Sequence, residues 1–188
     1  MTLSTIFYKI KNTLIAWFSD IRVYAGGFVL FGNSSYSIKG PDTRYVLNVL
    51  EPGDVLLRRY DHYLGSILIP GYWSHAALYV GDGYVIHMLG QGINKEDILT
   101  FLRCDDICIL RCPDNNKAVT AIKNAFNCLY KDIGYDYEFN FNDEKEMSCT
   151  EFIDTCYEHP KYSSKPIDKL ILPDDLLESI FEVVWKKD

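Results

Sequence analysis

No apolar run in the 188-residue chain approaches the ~18 residues that a membrane-spanning helix requires. Positive charge is scarce too. The 19 Lys and Arg are outnumbered by 26 Asp and Glu, and the net charge is −7. That balance argues against a nucleic-acid footprint spread over the surface. There is no glycine-rich phosphate loop and no serine elbow, so the common signals of nucleotide binding and serine hydrolysis are missing. Repeats, low-complexity tracts and an obvious linker are absent as well. Near the start, Leu14-Ile15-Ala16-Trp17-Phe18 is too short for the apolar core of a secretory leader, and no small-residue cleavage site follows it. The six cysteines are therefore expected to be reduced thiols and the chain cytoplasmic, with leaderless export left open.

What remains is globular composition, 48% apolar and 24% charged. A chain of this length buries roughly 70% of its unfolded surface and needs no staple. Leu3, Ile6, Phe7, Ile10, Leu14, Trp17, Phe18 and Ile21 recur at helical spacing. This helix either packs on the domain, which is favoured, or lies on a lipid surface with Lys9 and Lys11 at its border. A looped stretch punctuated by Gly26-Gly27, Gly32 and Gly40-Pro41 follows. Residues 1–50 are expected to form an N-terminal extension and residues 51–188 the main domain. Strands are expected at 55–57, 75–80, 84–89, 107–111 and 181–185, and helices at 95–102, 115–131, 149–158 and from Pro173. The implied class is α+β, a small antiparallel sheet flanked by helices.

Ser148-Cys149-Thr150-Glu151 ahead of Phe152-Ile153 is a capping-box pattern. It makes Ser148 the N-cap and sets Cys149 in the first helical turn, where free N–H groups and the helix dipole favour a thiolate. Buried packing explains a helical cysteine equally well, and Cys156 on the same face fits that reading. A nucleophilic thiol needs a base. His62 lies in a polar stretch, and His159 sits at a helix end before Pro160. His75 opens one strand and His87 lies near the end of the next, across the tight turn Gly81-Asp82-Gly83. The pair is thereby expected to be cross-strand or diagonal neighbours, one serving as base and the other fixing its tautomer. The alternative is two unrelated histidines satisfied by backbone groups. Two His and one Cys would suit zinc. Cys104, Cys108 and Cys112, however, are spaced by four and not as knuckles. On a strand they would share a face, so packing explains them and no metal is expected.

Pro52-Gly53-Asp54-Val55-Leu56-Leu57, Trp73-Ser74-His75-Ala76-Ala77-Leu78-Tyr79-Val80-Gly81, Val85-Ile86-His87 and Ser148-Cys149-Thr150-Glu151-Phe152 stand in that order. Together they resemble the YiiX/YebB-like branch of the NlpC-type cysteine hydrolases over roughly residues 50–185. The resemblance implies a circularly permuted papain-like fold in which the His strand precedes the Cys helix. It further implies Cys149 as nucleophile, His75 as general base and His87 at the third polar position, where several permuted members carry Glu. Tyr135, Tyr137, Trp73 and Asp54 are the residues expected around the substrate, Asp54 as a turn residue near the cleft. The activity implied is that of a cysteine amidase or peptidase working through a thioester and needing no cofactor. A peptide or lipid-amide substrate is expected. The alternatives are a lipid acyl hydrolase or acyltransferase of the lecithin retinol acyltransferase type, and a catalytically silent binding module.

Overall fold

A computed structural model describes residues 8–11, 13, 14, 22, 23, 29, 30, 36–61, 63, 66, 69–137, 145–158 and 172–187. The expectations for His62, for His159 and for most of the N-terminal helix lie outside these residues. Within that helix, residues 8–11, 13 and 14 are helical, and the Tyr8 hydroxyl donates to the Glu146 carboxylate. Strands β1 (Arg22–Val23) and β2 (Val29–Leu30) pair with each other.

The elements that follow build one sheet and its two coverings. They are α1 (Gly40–Val49), β3 (Val55–Arg59), β4 (His75–Gly81), β5 (Tyr84–Leu89), β6 (Gly92–Asp97), α2 (Ile98–Phe101), β7 (Asp106–Arg111), α3 (Asn115–Cys128), β8 (Gly134–Tyr135), β9 (Glu146–Met147), α4 (Cys149–Tyr157), a 3-10 helix (Pro173–Glu178) and β10 (Glu182–Lys186). The sheet runs β10-β7-β3-β4-β5-β6 with every neighbouring pair antiparallel.

Alternation along the strands divides the core between the two faces. On one face Val55, Leu57, Ala76, Leu78, Ile86, Met88, Cys108 and Leu110 pack under α3 and α4. On the other, Leu56, Ala77, Val85, Ile107 and Ile109 pack with α1, α2 and Phe101. Most strands and the helices α3 and α4 therefore fall where hydrophobic pattern and punctuation put them.

Two segments do not. Residues 95–102 were expected to be helical, but β6 runs through Asp97 and only Ile98–Phe101 are helical. Six consecutive pairings with β5, from Tyr84↔Asp97 to Leu89↔Gly92, satisfy the backbone of the whole segment and override its polar, helix-compatible composition. Gly92, the first residue of β6 after the turn at Gly90-Gln91, adopts φ +108°. The second is α1, which carries no strong apolar stripe yet docks Val46 in the second core beside Ile38. Cys104 also departs from expectation. It precedes β7 and packs with the second core, whereas Cys108 and Cys112 share the first. All six thiols are buried and unpaired.

Asp54 sits where β3 begins. Its carboxylate accepts from Arg111 Nε and Nη2, both at 2.8 Å, and from the Glu51 N–H at 2.8 Å. Removing one partner strands the other charge. Asp54→Ala is expected to cost about 2–3 kcal/mol, at the lower end for a buried pair because Arg111 keeps Glu51 at 2.7 Å. Urea unfolding checks this, and an unchanged midpoint would show the pair to be dispensable.

Candidate active site

The local sequence sets Cys149 at the first position of α4. Ser148 is the N-cap, its Oγ accepting from the Glu151 N–H at 3.3 Å, while the Ser148 N–H donates to Glu151 Oε2 at 2.6 Å. This closed capping box leaves the N–H groups of Cys149 and Thr150 without intrahelical partners. Both point at the Cys149 sulfur, and so does the N–H of Ala76 on β4. The sulfur thus lies against β4 one residue along the chain from His75.

A short parallel pairing brings a third group. Gly134 pairs with Glu146 and Tyr135 with Met147, which ties the 134–136 segment to the approach to α4. The Tyr135 hydroxyl consequently hydrogen-bonds the Cys149 sulfur, and the Tyr137 ring lies 4.7 Å from that of Tyr135. Burial pushes the Tyr135 phenol well above its usual value, so it remains a donor at neutral pH.

His75 is the first residue of β4, and His87 lies on β5. The register Leu78↔Ile86 makes them diagonal neighbours. His75 Nε2 is 2.9 Å from His87 Nδ1, with ring centroids 5.1 Å apart. This contact leaves Nδ1 as the second nitrogen of His75. The Phe101 ring packs against both imidazoles, at 6.2 and 5.6 Å.

The electrostatics depart from what the helix start alone suggested. Burial pushes the Cys149 thiol above its ordinary value, and the three N–H groups and the Arg58 charge only partly offset it. For His75, burial, Arg58 and His87, in that order, hold the pKa well below 6.5. For His87, burial and then Arg58 lower it to about 3. Burial therefore favours the neutral forms, a thiol at Cys149 and unprotonated imidazoles at His75 and His87. The dipole argument neglected desolvation, and Cys149 is only 3% exposed.

The other expected residues divide. Tyr135 stands at the sulfur, and Tyr137 packs on the Tyr135 ring. Trp73 is fully buried in the same core cluster as Cys149, and its N–H and that of Tyr72 are held by Asp174 at 2.9 and 3.0 Å. It therefore forms a wall of the core rather than an exposed surface. Asp54 is not brought to the cluster. It lies beyond Val55, which pairs with Leu78, so it is roughly 13 Å along the strand from His75.

Sequence reasoning missed Arg58 and Glu96. Arg58 lies directly across from His75 on β3, its guanidinium 4.2 Å from the Phe101 ring centroid. Glu96 Oε2 stands 3.5 Å from Arg58 Nη1 and 3.6 Å from His87 Nε2. The available signal was a cation embedded in the apolar Val55-Leu56-Leu57-Arg58 strand.

The crystal structure of metalloprotein yiiX from Escherichia coli O157:H7 superposes with a TM-score of 0.57 at 14% identity, covering 73% of this chain and 97% of that one. The likeness establishes the fold. Among the described residues of the present chain, no group of three or more His, Cys, Asp and Glu is arranged to hold a metal ion. No curated protein matches the sequence. Among the described residues no helix is long and apolar enough to cross a membrane. Residues 49–175 match the family model of the permuted papain-like amidase enzymes, YaeF/YiiX. With residues 49–175, most of its length, matched, the chain belongs to the permuted papain-like amidases of the YaeF/YiiX, C92 family.

Proposed function

We propose that this family member is a cysteine amidase or peptidase in which Cys149 is the nucleophile, His75 the general base and His87 the residue that orients the base. One observation carries the proposal. The sulfur at the start of α4 meets the N–H of Ala76, the residue after His75, and the His75 Nε2 is taken up by a second imidazole. A resting thiol next to a neutral base is the arrangement general-base catalysis needs.

His75 Nδ1 takes the thiol proton as Cys149 Sγ bonds to the substrate carbonyl carbon. The oxyanion is held by N–H groups at the helix start, including that of Cys149. The tetrahedral species collapses with cleavage of the C–N bond, His75 returns its proton to the leaving amine, and a thioester remains. Water, deprotonated by His75, attacks the thioester and releases the acid and the thiol. Tyr135 and Tyr137 supply an aromatic wall at the sulfur.

Lipid acyl transfer or hydrolysis is the second reading. It is favoured by Ile10 and Leu14, each 52% exposed on the N-terminal helical residues beside Lys9 and Lys11. Incubation with peptide-amide and phospholipid libraries, read by mass spectrometry, separates the two. Amine-releasing cleavage of peptides supports the proposal. Acyl products from lipid alone favour the second reading, and no products from either library point to a silent binding module.

A further inference from the structure

We propose that Glu96, held by Arg58, is a positioning residue that fixes the tautomer of His87 and thereby keeps the second nitrogen of His75 free of a proton. This deepens the proposed function and rests on the roles given there to Cys149, His75 and His87.

The placement follows from strand register. Arg58 on β3 pairs directly with His75 on β4. His75 is diagonal to His87 on β5. Glu96 on β6 pairs with Val85, two residues before His87, and so shares its face. Four neighbouring strands thus contribute one polar residue each to the same face. The contacts close into a ring of His75–His87 at 2.9 Å, His87–Glu96 at 3.6 Å and Glu96–Arg58 at 3.5 Å, with Arg58 across from His75. Phe101 packs on both imidazoles and on the guanidinium.

Three atoms of this ring are buried without a hydrogen-bond partner among the described residues: Arg58 Nε, His87 Nε2 and Glu96 Oε2. Unsatisfied buried polar atoms are rare and costly. Here two of them face each other just beyond hydrogen-bonding distance, so a shift of about 0.5 Å would join them.

The chemistry then permits one protonation pattern. An ionised carboxylate only accepts, so the nitrogen of His87 that faces it carries the proton. With Nε2 protonated, Nδ1 of the neutral ring is an acceptor, and His75 Nε2–H donates to it. Neutral His75 then has its lone pair on Nδ1, where a thiol proton can be taken. The opposite tautomer of His87 would donate to His75 Nε2 and move the His75 proton onto Nδ1, which disables the base. Arg58 disfavours an imidazolium at either histidine. The other titratable groups facing the ring, Tyr60 and Cys104, are each pushed up to about 12 by burial and stay neutral in the working range.

The test is a ring-nitrogen NMR measurement on the full chain labelled with 15N-histidine, with kcat and KM measured in parallel. Wild type and Glu96→Gln, whose amide oxygen still accepts, are expected to carry the His87 proton on Nε2. Glu96→Ala is expected to lose that preference and to drop kcat roughly 10- to 100-fold, the loss seen when a hydrogen-bond partner behind a functional histidine is removed. Its KM is expected to stay within about twofold, since the interaction acts on the base and not on bound substrate. The proposal is overturned if wild-type His87 carries its proton on Nδ1, or if Glu96→Ala leaves either the tautomer or kcat unchanged. Should Glu96→Ala fail to fold, the wild-type tautomer and the Glu96→Gln rate decide alone. The tautomer is read without turnover, so it stands or falls separately from the role of Cys149, which Cys149→Ala tests.

Discussion

Cys149→Ala is expected to lower kcat by about 10⁶-fold, the scale of removing the nucleophile from a hydrolytic triad, while the chain stays folded. The substitution removes a single sulfur atom from the first turn of α4 and leaves the Ser148–Glu151 capping box untouched. Its stability cost is therefore about 1 kcal/mol, the usual size for a small buried truncation. Cys156→Ala supplies the contrast. Cys156 lies on the same helix and is fully buried in the same core. Its loss is expected to reduce stability by a similar amount with activity per folded molecule retained. Circular dichroism melts and an amide-hydrolysis assay check both variants. Comparable activity in Cys149→Ala and wild type would remove the basis of the mechanism.

His75→Ala is the second large effect, with an expected loss of about 10⁴-fold or more in kcat from removal of the base. The accompanying pH dependence has a definite sign. The functional form of His75 is neutral, and burial, Arg58 and His87 hold its pKa well below 6.5. Activity is therefore complete above pH 6.5 and is lost only as pH falls through the lowered value. A profile of kcat/KM against pH that is level from about 6.5 to 8 with an acid limb below 6.5 is the expected outcome. A limb centred above 6.5 would mean that the imidazole is stabilised in its charged form, contrary to its surroundings. His87 adds a stability effect of the same origin. Its folded pKa is about 3, so between pH 6.5 and 3 the unfolded chain binds a proton that the folded chain refuses. Stability then falls by up to about 1.4 kcal/mol per pH unit as the solution is acidified.

The parts of this arrangement that local patterns specify were readable from the sequence. The capping box announces both the helix start and the position of Cys149, because its two hydrogen bonds span only residues 148–151. His75 and His87 were legible as neighbours because a tight turn and two short apolar runs define a hairpin. Tyr135 was found by its proximity in sequence to the Cys helix, although the parallel β8–β9 pairing that delivers it has no strong local signature.

What escaped depends on register across several strands. Glu96 reaches His87 only because β6 is a strand, and that segment's polar composition reads as helix until its pairing with β5 is known. Arg58 joins the cluster through the β3–β4 register, which no local motif encodes. The protonation state of Cys149 escaped for a different reason. A helix start predicts the local field, but desolvation is set by everything packed above the sulfur, and here desolvation is the larger effect. The placement of Asp54 failed similarly. Its turn was correctly located, but β3 carries that turn to the end of the sheet away from His75, where Arg111 holds it.

The most direct measurement is acyl trapping. The protein is incubated briefly with an activated acyl ester, quenched in acid, and its intact mass and peptide map are recorded. The mechanism predicts a single acyl group on Cys149, formed far more slowly in His75→Ala and absent from Cys149→Ala. Acylation of another thiol, or an equal yield of adduct in Cys149→Ala, would contradict it.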